Sequence, residues 1–374
     1  MHSIVLYSAL LLLPLAVIGE KANDLSSGVR ARTAPPLPRL NIDSGAISIS
    51  GLSSGADFAV QFHVAFSSIL CGSGIFAGQP FHCAVVRFPK DQLVPKATSQ
   101  PGDVPICEGC PSNETLIYDH CKNHPEVVEP MLLVNRTLEM AANGDIDDVL
   151  GLSVDQIYLY RGTKDTIYLE GAVENVVKYF SYFVRDAEAQ IEFNKTTPSA
   201  HCWPLKDFGT SCGFQGAGHE LEKCGYDGPG AALQHIYASP SSPLNPPASK
   251  YDPSSLYYFD QTVFDIGSKV GLNETGYVYI PHECMSQSCK LHISLHGCSV
   301  NNYYEEAVHH LSFNYWAETN NIVIVYPRMA QHGTTVQEKI GCWDAYGQTG
   351  QAYDTQNGVQ MKAIRQMIKR IAGV

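Results

Sequence analysis

The stretch "ISISGLSSGADFAV", positions 47–60, decides how this chain is read. Ile and Ser alternate up to Ser50 with the period of a strand, Gly51-Leu52-Ser53-Ser54-Gly55 follows, and "ADFAVQFHVAFSS" then repeats apolar residues at helical spacing. Strand, G-x-S-x-G and helix in that order form the layout of a nucleophile elbow. A sharp turn exposes the serine hydroxyl, and two glycines supply flanks that carry no Cβ. Ser53 is therefore the candidate nucleophile. A second match, Gly209-Thr210-Ser211-Cys212-Gly213, has no β run before it and no helical pattern after it, so Ser211 reads as a loop residue.

A serine nucleophile needs a base to take its proton and a carboxylate to orient that base. Asp165 closes the β-like run "QIYLYRGTKD", a helix-like "AVENVVKYFSYFV" follows, and the next β-like run, "AQIEFNK", leads into "TTPSAH" and His201. Ser53, Asp165 and His201 thus stand in the chain order Ser, Asp, His, the latter two just past strand ends. His219 and His235 are alternative bases. Taken singly, Asp165 is a turn or cap residue and His201 is one of 14 histidines. Their joint placement is what favours the catalytic reading.

The remaining requirement is a donor for the oxyanion. "LHISLHGC", positions 291–298, reads as a buried strand ending in His-Gly and resembles the oxyanion loop that follows a central strand in lipases and esterases. In an ordinary α/β-hydrolase that loop precedes the elbow; here it follows by more than two hundred residues. The order fits a hydrolase cut between oxyanion strand and elbow and rejoined elsewhere. The proline-rich "SPSSPLNPPASKYDP", positions 239–253, is the natural site of the join.

Regular patterns resume after it in "TGYVYIP", "KLHISLHG", "YEEAVHHLSFNYWAETN", "NIVIVYP" and "GVQMKAIRQMIKRIAG". Alternating strand and helix patterns predict a circularly permuted α/β-hydrolase, a single domain with a mainly parallel central sheet flanked by helices. The catalytic domain is expected over 40–374. A signal peptide is expected over 1–19, because the segment is apolar, carries no Lys, Arg, Asp or Glu, and is too short to span a bilayer. An extended lead-in is expected over 20–39.

Twelve cysteines and four N-x-T sequons, at Asn113, Asn135, Asn194 and Asn273, agree with an oxidising, secretory route to an extracellular location. Cys284 with Cys289 is the easiest local disulfide. A zinc module is poorly supported: Cys107-x-x-Cys110 and Cys121 have no second pair at finger-like spacing, and no metal or other cofactor is expected. A formal charge of −12 without a Lys/Arg run argues against nucleic acid or anionic lipid as partner and points to a neutral or apolar substrate.

The set "GLSSGADFAVQFHVAFSS", "CGYDGPGAALQHIY", "FDQTVF", "GYVYIPHEC", "LHISLHGC", "YWAETNNIVIVYP" and "GCWDAYGQTG" resembles the secreted poly(3-hydroxybutyrate) depolymerases with a permuted catalytic domain, from about Leu40 to the C-terminus. The resemblance implies Ser53 as nucleophile, Asp165 as orienting acid and His201 as base. It also implies the backbone amides of Ser54 and Cys298 as oxyanion hole and Trp343 as a lining of the substrate cleft. The implied reaction is hydrolysis of a hydroxyalkanoate polyester through an acyl-enzyme. Two departures bear on substrate: Ala345-Tyr346 replaces a further Trp after Trp-Asp, and Cys202-Trp203-Pro204 follows the histidine where small residues are usual. A secreted carboxylesterase for small or carbohydrate-linked esters is the nearest alternative, and an inactive extracellular binding homologue is the alternative of another class.

Overall fold

The computed structural model describes residues 34–90, 120–216, 220–239, 241–265 and 270–374. The expected signal segment, Asn113, Cys107, Cys110 and His219 lie outside the described residues. Packing begins before position 40: Leu37 is buried, and Pro36 forms a bridge with Asp260. Residues 34–39 of the expected lead-in are thus part of the fold.

Among the described residues, the main sheet has eight strands: β1 (Ile42–Leu52), β2 (Gly72–Phe76), β3 (Gln156–Tyr160), β4 (Ile191–Asn194), β8 (Leu256–Asp260), β9 (Thr275–Tyr279), β10 (Cys289–Leu295) and β11 (Ile322–Tyr326). Their spatial order is β4-β3-β2-β1-β10-β11-β9-β8, parallel except where β9 meets its two neighbours. The first part of the chain builds one half of the sheet outward from β1, and the part after the proline-rich connection builds the other. That connection carries the chain from one half to the far edge strand β8, its route held by Asn245 against Asn320.

The halves join along β1 and β10, parallel and in register with Ser50 opposite Ser294 and Gly51 opposite Leu295. Both faces of this central pair are covered, so the alternating Ser and Ile of β1 are all buried. Ser48 and Ser50 satisfy their hydroxyls on the two ring nitrogens of His292 in β10, at 2.6 and 2.9 Å. Burial lowers the His292 pKa to about 3. The ring is therefore neutral, one nitrogen donating and the other accepting.

Among the described residues, seven helices of seven or more residues flank the sheet: α1 (Ser54–Ala65), α2 (Pro130–Asn143), α3 (Ala172–Phe180), α4 (Gly228–Tyr237), α5 (Tyr304–His310), α6 (Phe313–Asn320) and α7 (Val359–Ala372). The run "YEEAVHHLSFNYWAETN" is two helices, broken at Leu311-Ser312 where the Ser312 hydroxyl turns to donate to Asp227. α7 buries Met361, Ile364, Met367, Ile368 and Ile371 on one face, each contributing roughly 1.5–3 kcal/mol. Among the described residues no helix is long and apolar enough to cross a membrane.

Four disulfides among the described residues join Cys83–Cys121, Cys212–Cys224, Cys284–Cys289 and Cys298–Cys342. Among the described residues, two groupings place three potential metal ligands together, Cys83–His120–Cys121 and Cys212–Glu222–Cys224, and each is built on one of these disulfides. An oxidised pair has no thiolate to offer a metal. A second, three-stranded sheet is formed by β5 (Trp203–Leu205), β6 (Thr210–Ser211) and β7 (Leu221–Lys223), with Trp203 packed on Phe76 at the end of β2.

Candidate active site

Ser53 occupies the single residue between β1 and α1, with φ 58° and ψ −125°. For a residue with a Cβ this is a costly conformation, about 1–3 kcal/mol. The surroundings hold it there. Its amide donates to the Phe76 carbonyl at 3.0 Å, and its carbonyl accepts the Ala56 and Asp57 amides. A Cβ on Gly51 would lie 2.1 Å from the Gly55 carbonyl oxygen, and one on Gly55 would lie 2.3 Å from the His296 carbonyl oxygen. Both glycines of the motif are thus demanded by backbone atoms that cannot move aside. The serine sits at the N-terminal, positive end of α1, which favours anionic charge developing beside it.

Asp165 and His201 are brought together by main-chain pairing of two loops. The loop after β3 donates from Thr163 to the Thr197 carbonyl (2.9 Å) and from Lys164 to the Ser199 carbonyl (3.0 Å) of the loop after β4. Arg161 pins the first loop from inside, through Nε to the Tyr168 carbonyl and Nη2 to the Asp165 carbonyl. Asp165 then accepts the Ile167 and Tyr168 amides on Oδ1 and His201 Nδ1 on Oδ2 at 2.9 Å. Burial alone would raise this carboxyl, but the neighbouring His201 and the two amides outweigh it and hold the pKa below its ordinary value. An ionised carboxylate only accepts, so Nδ1 of His201 carries the proton and Nε2 is left as acceptor. Nε2 has no hydrogen-bond partner among the described residues. The Tyr168 ring stacks on the imidazole at 5.5 Å with an interplanar angle of 2°.

Ser53, Ser54, His201, Gly297 and Cys298 line one cleft of about 360 Å³, with Ile167, Val336, Ile340 and Tyr346 contributing apolar and aromatic surface. The loop after β10 reaches the elbow because its strand is paired to β1. A Cβ at Gly297 would lie 3.2 Å from both the Ser53 Cβ and the Leu52 carbonyl oxygen. The loop is fixed by the Gly297 amide donating to the Tyr303 hydroxyl (2.6 Å), by the Met329 amide donating to His296 Nε2 (3.0 Å), and by the Cys298–Cys342 disulfide. Ser54 Oγ accepts the Trp343 amide at 3.3 Å and lies 3.4 Å from Cys298 Sγ.

Several residues fall elsewhere than expected. Trp343 does not line the cleft: its side chain is fully buried, packed on Phe58 and His296 in the core beneath the site. Ala345 is likewise buried, whereas its neighbour Tyr346 reaches the cleft. Cys202 and Trp203 point away into the core, Trp203 against Phe76 and Phe313. His235 is held by the Gln190 carbonyl and Glu192 and does not line the cleft. Ser211 is an exposed residue of β6 beside the Cys212–Cys224 disulfide.

Among the cleft residues that sequence spacing did not single out are three with ionisable side chains beside the triad: Asp57, Tyr168 and Glu220. Asp57, one helical turn after Ser53, accepts the Gln79 amide and the Tyr168 hydroxyl (2.6 Å). Burial pushes its pKa up to about 7 against these hydrogen bonds. Tyr168 thereby joins Asp57 to the face of His201. A second Ser-His-Asp array, Ser73–His63–Asp155, has contacts of 2.8 and 2.9 Å but is wholly buried away from the cleft. Access, as well as geometry, sets the first array apart.

No family model matches the chain. It is 33% identical over 90% of its length to a poly(3-hydroxybutyrate) depolymerase of Delftia acidovorans, of which it spans 61%. It is 29% identical to a polyhydroxybutyrate depolymerase of Talaromyces funiculosus, covering 92% of this chain and 94% of that one. Among solved structures, a PHB depolymerase from Penicillium funiculosum superposes with a TM-score of 0.75 at 28% identity, covering 90% of this chain and 99% of the other. A PHB depolymerase complexed with an R3HB trimer superposes with a TM-score of 0.73 at 28% identity over the same shares.

Proposed function

We propose that this chain, which is similar to poly(3-hydroxybutyrate) depolymerases, is a member of that family and a secreted serine esterase that hydrolyses poly(3-hydroxybutyrate) or related short-chain hydroxyalkanoate polyesters and oligomers. The observation that carries the reading is the hydrogen bond from His201 Nδ1 to Asp165 Oδ2, which leaves Nε2 unpartnered in the cleft that Ser53 lines. In this reading Nε2 takes the Ser53 proton as Oγ attacks the ester carbonyl, and Asp165 stabilises the imidazolium that forms. The Ser54 and Cys298 amides receive the tetrahedral oxyanion at the positive end of α1. Collapse expels the alcohol end of the chain with the proton from His201, and water then releases the acid end from Ser53.

The apolar rim of Ile167, Val336 and Ile340 with Tyr346 suits a methyl-bearing, uncharged chain. The four disulfides agree with an oxidising compartment. The test is a clearing assay on poly(3-hydroxybutyrate) granules, run beside 3-hydroxybutyrate oligomers and p-nitrophenyl butyrate, with Ser53→Ala as control. Clearing that depends on Ser53 supports the reading. Good turnover of acetyl or feruloyl esters with polymer and oligomers untouched would replace it by a carboxylesterase.

A further inference from the structure

Among the described residues, two cleft-lining side chains keep a buried polar atom without a hydrogen-bond partner: Nε2 of His201 and Oε2 of Glu220. The first has a role in the proposed chemistry, as proton acceptor. The second has none. Glu220 stands just before β7, and its carbonyl accepts the Trp203 amide at 2.7 Å, which ties its backbone to the segment that follows His201. It also lines the same cleft as Gly297 and Cys298 of the loop after β10, a loop held by the Tyr303 hydroxyl accepting the Gly297 amide.

A carboxylate oxygen sealed from water with no donor is unfavourable, whereas a protonated carboxyl needs fewer donors and can itself donate. The titratable groups about Glu220 are His201 and Tyr303 and, around the cleft, Asp57, Lys122, Tyr168 and Tyr346. Burial pushes Glu220 up to about 7 despite the opposing pull of its own backbone amide and of His201. A hydroxyalkanoate polyester offers only acceptors along its length, namely carbonyl and ester oxygens, and a hydroxyl donor at one end alone. An ionised carboxylate matches that end; a protonated one matches the interior.

Resting on the hydrolase reading above, we propose that Glu220 is a substrate-binding residue that donates a hydrogen bond from its protonated carboxyl to a carbonyl oxygen of a hydroxyacyl unit flanking the scissile ester. It thereby favours an extended polyester over a short simple ester.

The test is binding of the methyl ester of the (R)-3-hydroxybutyrate trimer, which carries no charge, to Ser53→Ala protein, followed by calorimetry between about pH 6 and 9. Affinity should fall about tenfold as the pH rises, the worth of one hydrogen bond. Adding Glu220→Gln, which keeps the shape and an N–H donor, should hold the low-pH affinity throughout, and adding Glu220→Ala should leave it weak throughout. The proposal is overturned if Glu220→Gln titrates like its parent or if Glu220→Ala binds as well as its parent at low pH. Binding that tightens as pH rises would overturn it too, assigning Glu220 to the terminal hydroxyl. Should Glu220→Ala fail to fold, the isosteric Gln variant decides alone. The polyester reading of the site fails separately, if protein with Ser53 and Glu220 intact cleaves p-nitrophenyl butyrate but not the trimer.

Discussion

Gly55 of the elbow helix and His296 at the end of β10 meet backbone to backbone, close enough that a single methyl group on Gly55 would lie 2.3 Å from the His296 carbonyl oxygen. They are 241 positions apart in the chain. Their contact is the physical form of the permuted chain order: the elbow strand β1 and the strand β10 come from opposite sides of the proline-rich connection and are closed on each other by β1–β10 pairing.

Gly55→Ala should therefore cost both stability and turnover. The clash is with main chain, so relief requires β10 and α1 to separate, at about 1–3 kcal/mol or more. Denaturant unfolding and p-nitrophenyl butyrate hydrolysis together check this. An alanine variant with unchanged unfolding midpoint and kcat would contradict the contact.

Ser53→Ala should remove hydrolysis by several orders of magnitude with the fold retained, and His201→Ala should be as damaging. The double variant should be no worse than either, because nucleophile and base act as one unit. Additive losses in the cycle would show that the two do not work together.

Asp165→Asn should lower kcat by about 10⁴-fold by favouring the wrong imidazole tautomer. It should also change the pH dependence of stability. The Asp165 pKa is depressed below its ordinary value of 3.8 in the folded protein, so its stabilisation is present above that value and lost as pH falls through the folded one. Urea unfolding should accordingly separate the variant from the parent at neutral pH and converge towards it in strong acid. A gap that widened on acidification would reverse the sign.

Ala345→Trp, which the sequence would suggest as a way to add an aromatic surface to the cleft, should instead destabilise the protein. Ala345 is 1% exposed, and inserting an indole overpacks a filled core by about 1–3 kcal/mol or more. A drop in melting temperature without a lower KM for polymer is the expected outcome; a stable variant with tighter polymer binding would place the side chain in the cleft after all.

What the sequence determined by itself is local. Ser53 was legible because strand period, two glycines and helix period all fall within fourteen consecutive residues, and each is a constraint between near neighbours. The α/β alternation and the early position of the elbow were legible for the same reason, as order along the chain. Asp165 and His201 could be nominated as residues past strand ends, but that His201 and not His235 meets Asp165 was decided by tertiary structure, through the Thr163–Thr197 and Lys164–Ser199 pairing of two loops. Trp343 shows the limit most clearly. A large aromatic beside a motif can face a cleft or a core, and only the packing of Phe58 and His296 against it buries it. Asp57, Tyr168 and Glu220 carry no sequence signal, because their roles arise from burial and from partners on other elements, and desolvation is a property of the whole packed chain rather than of any stretch of it.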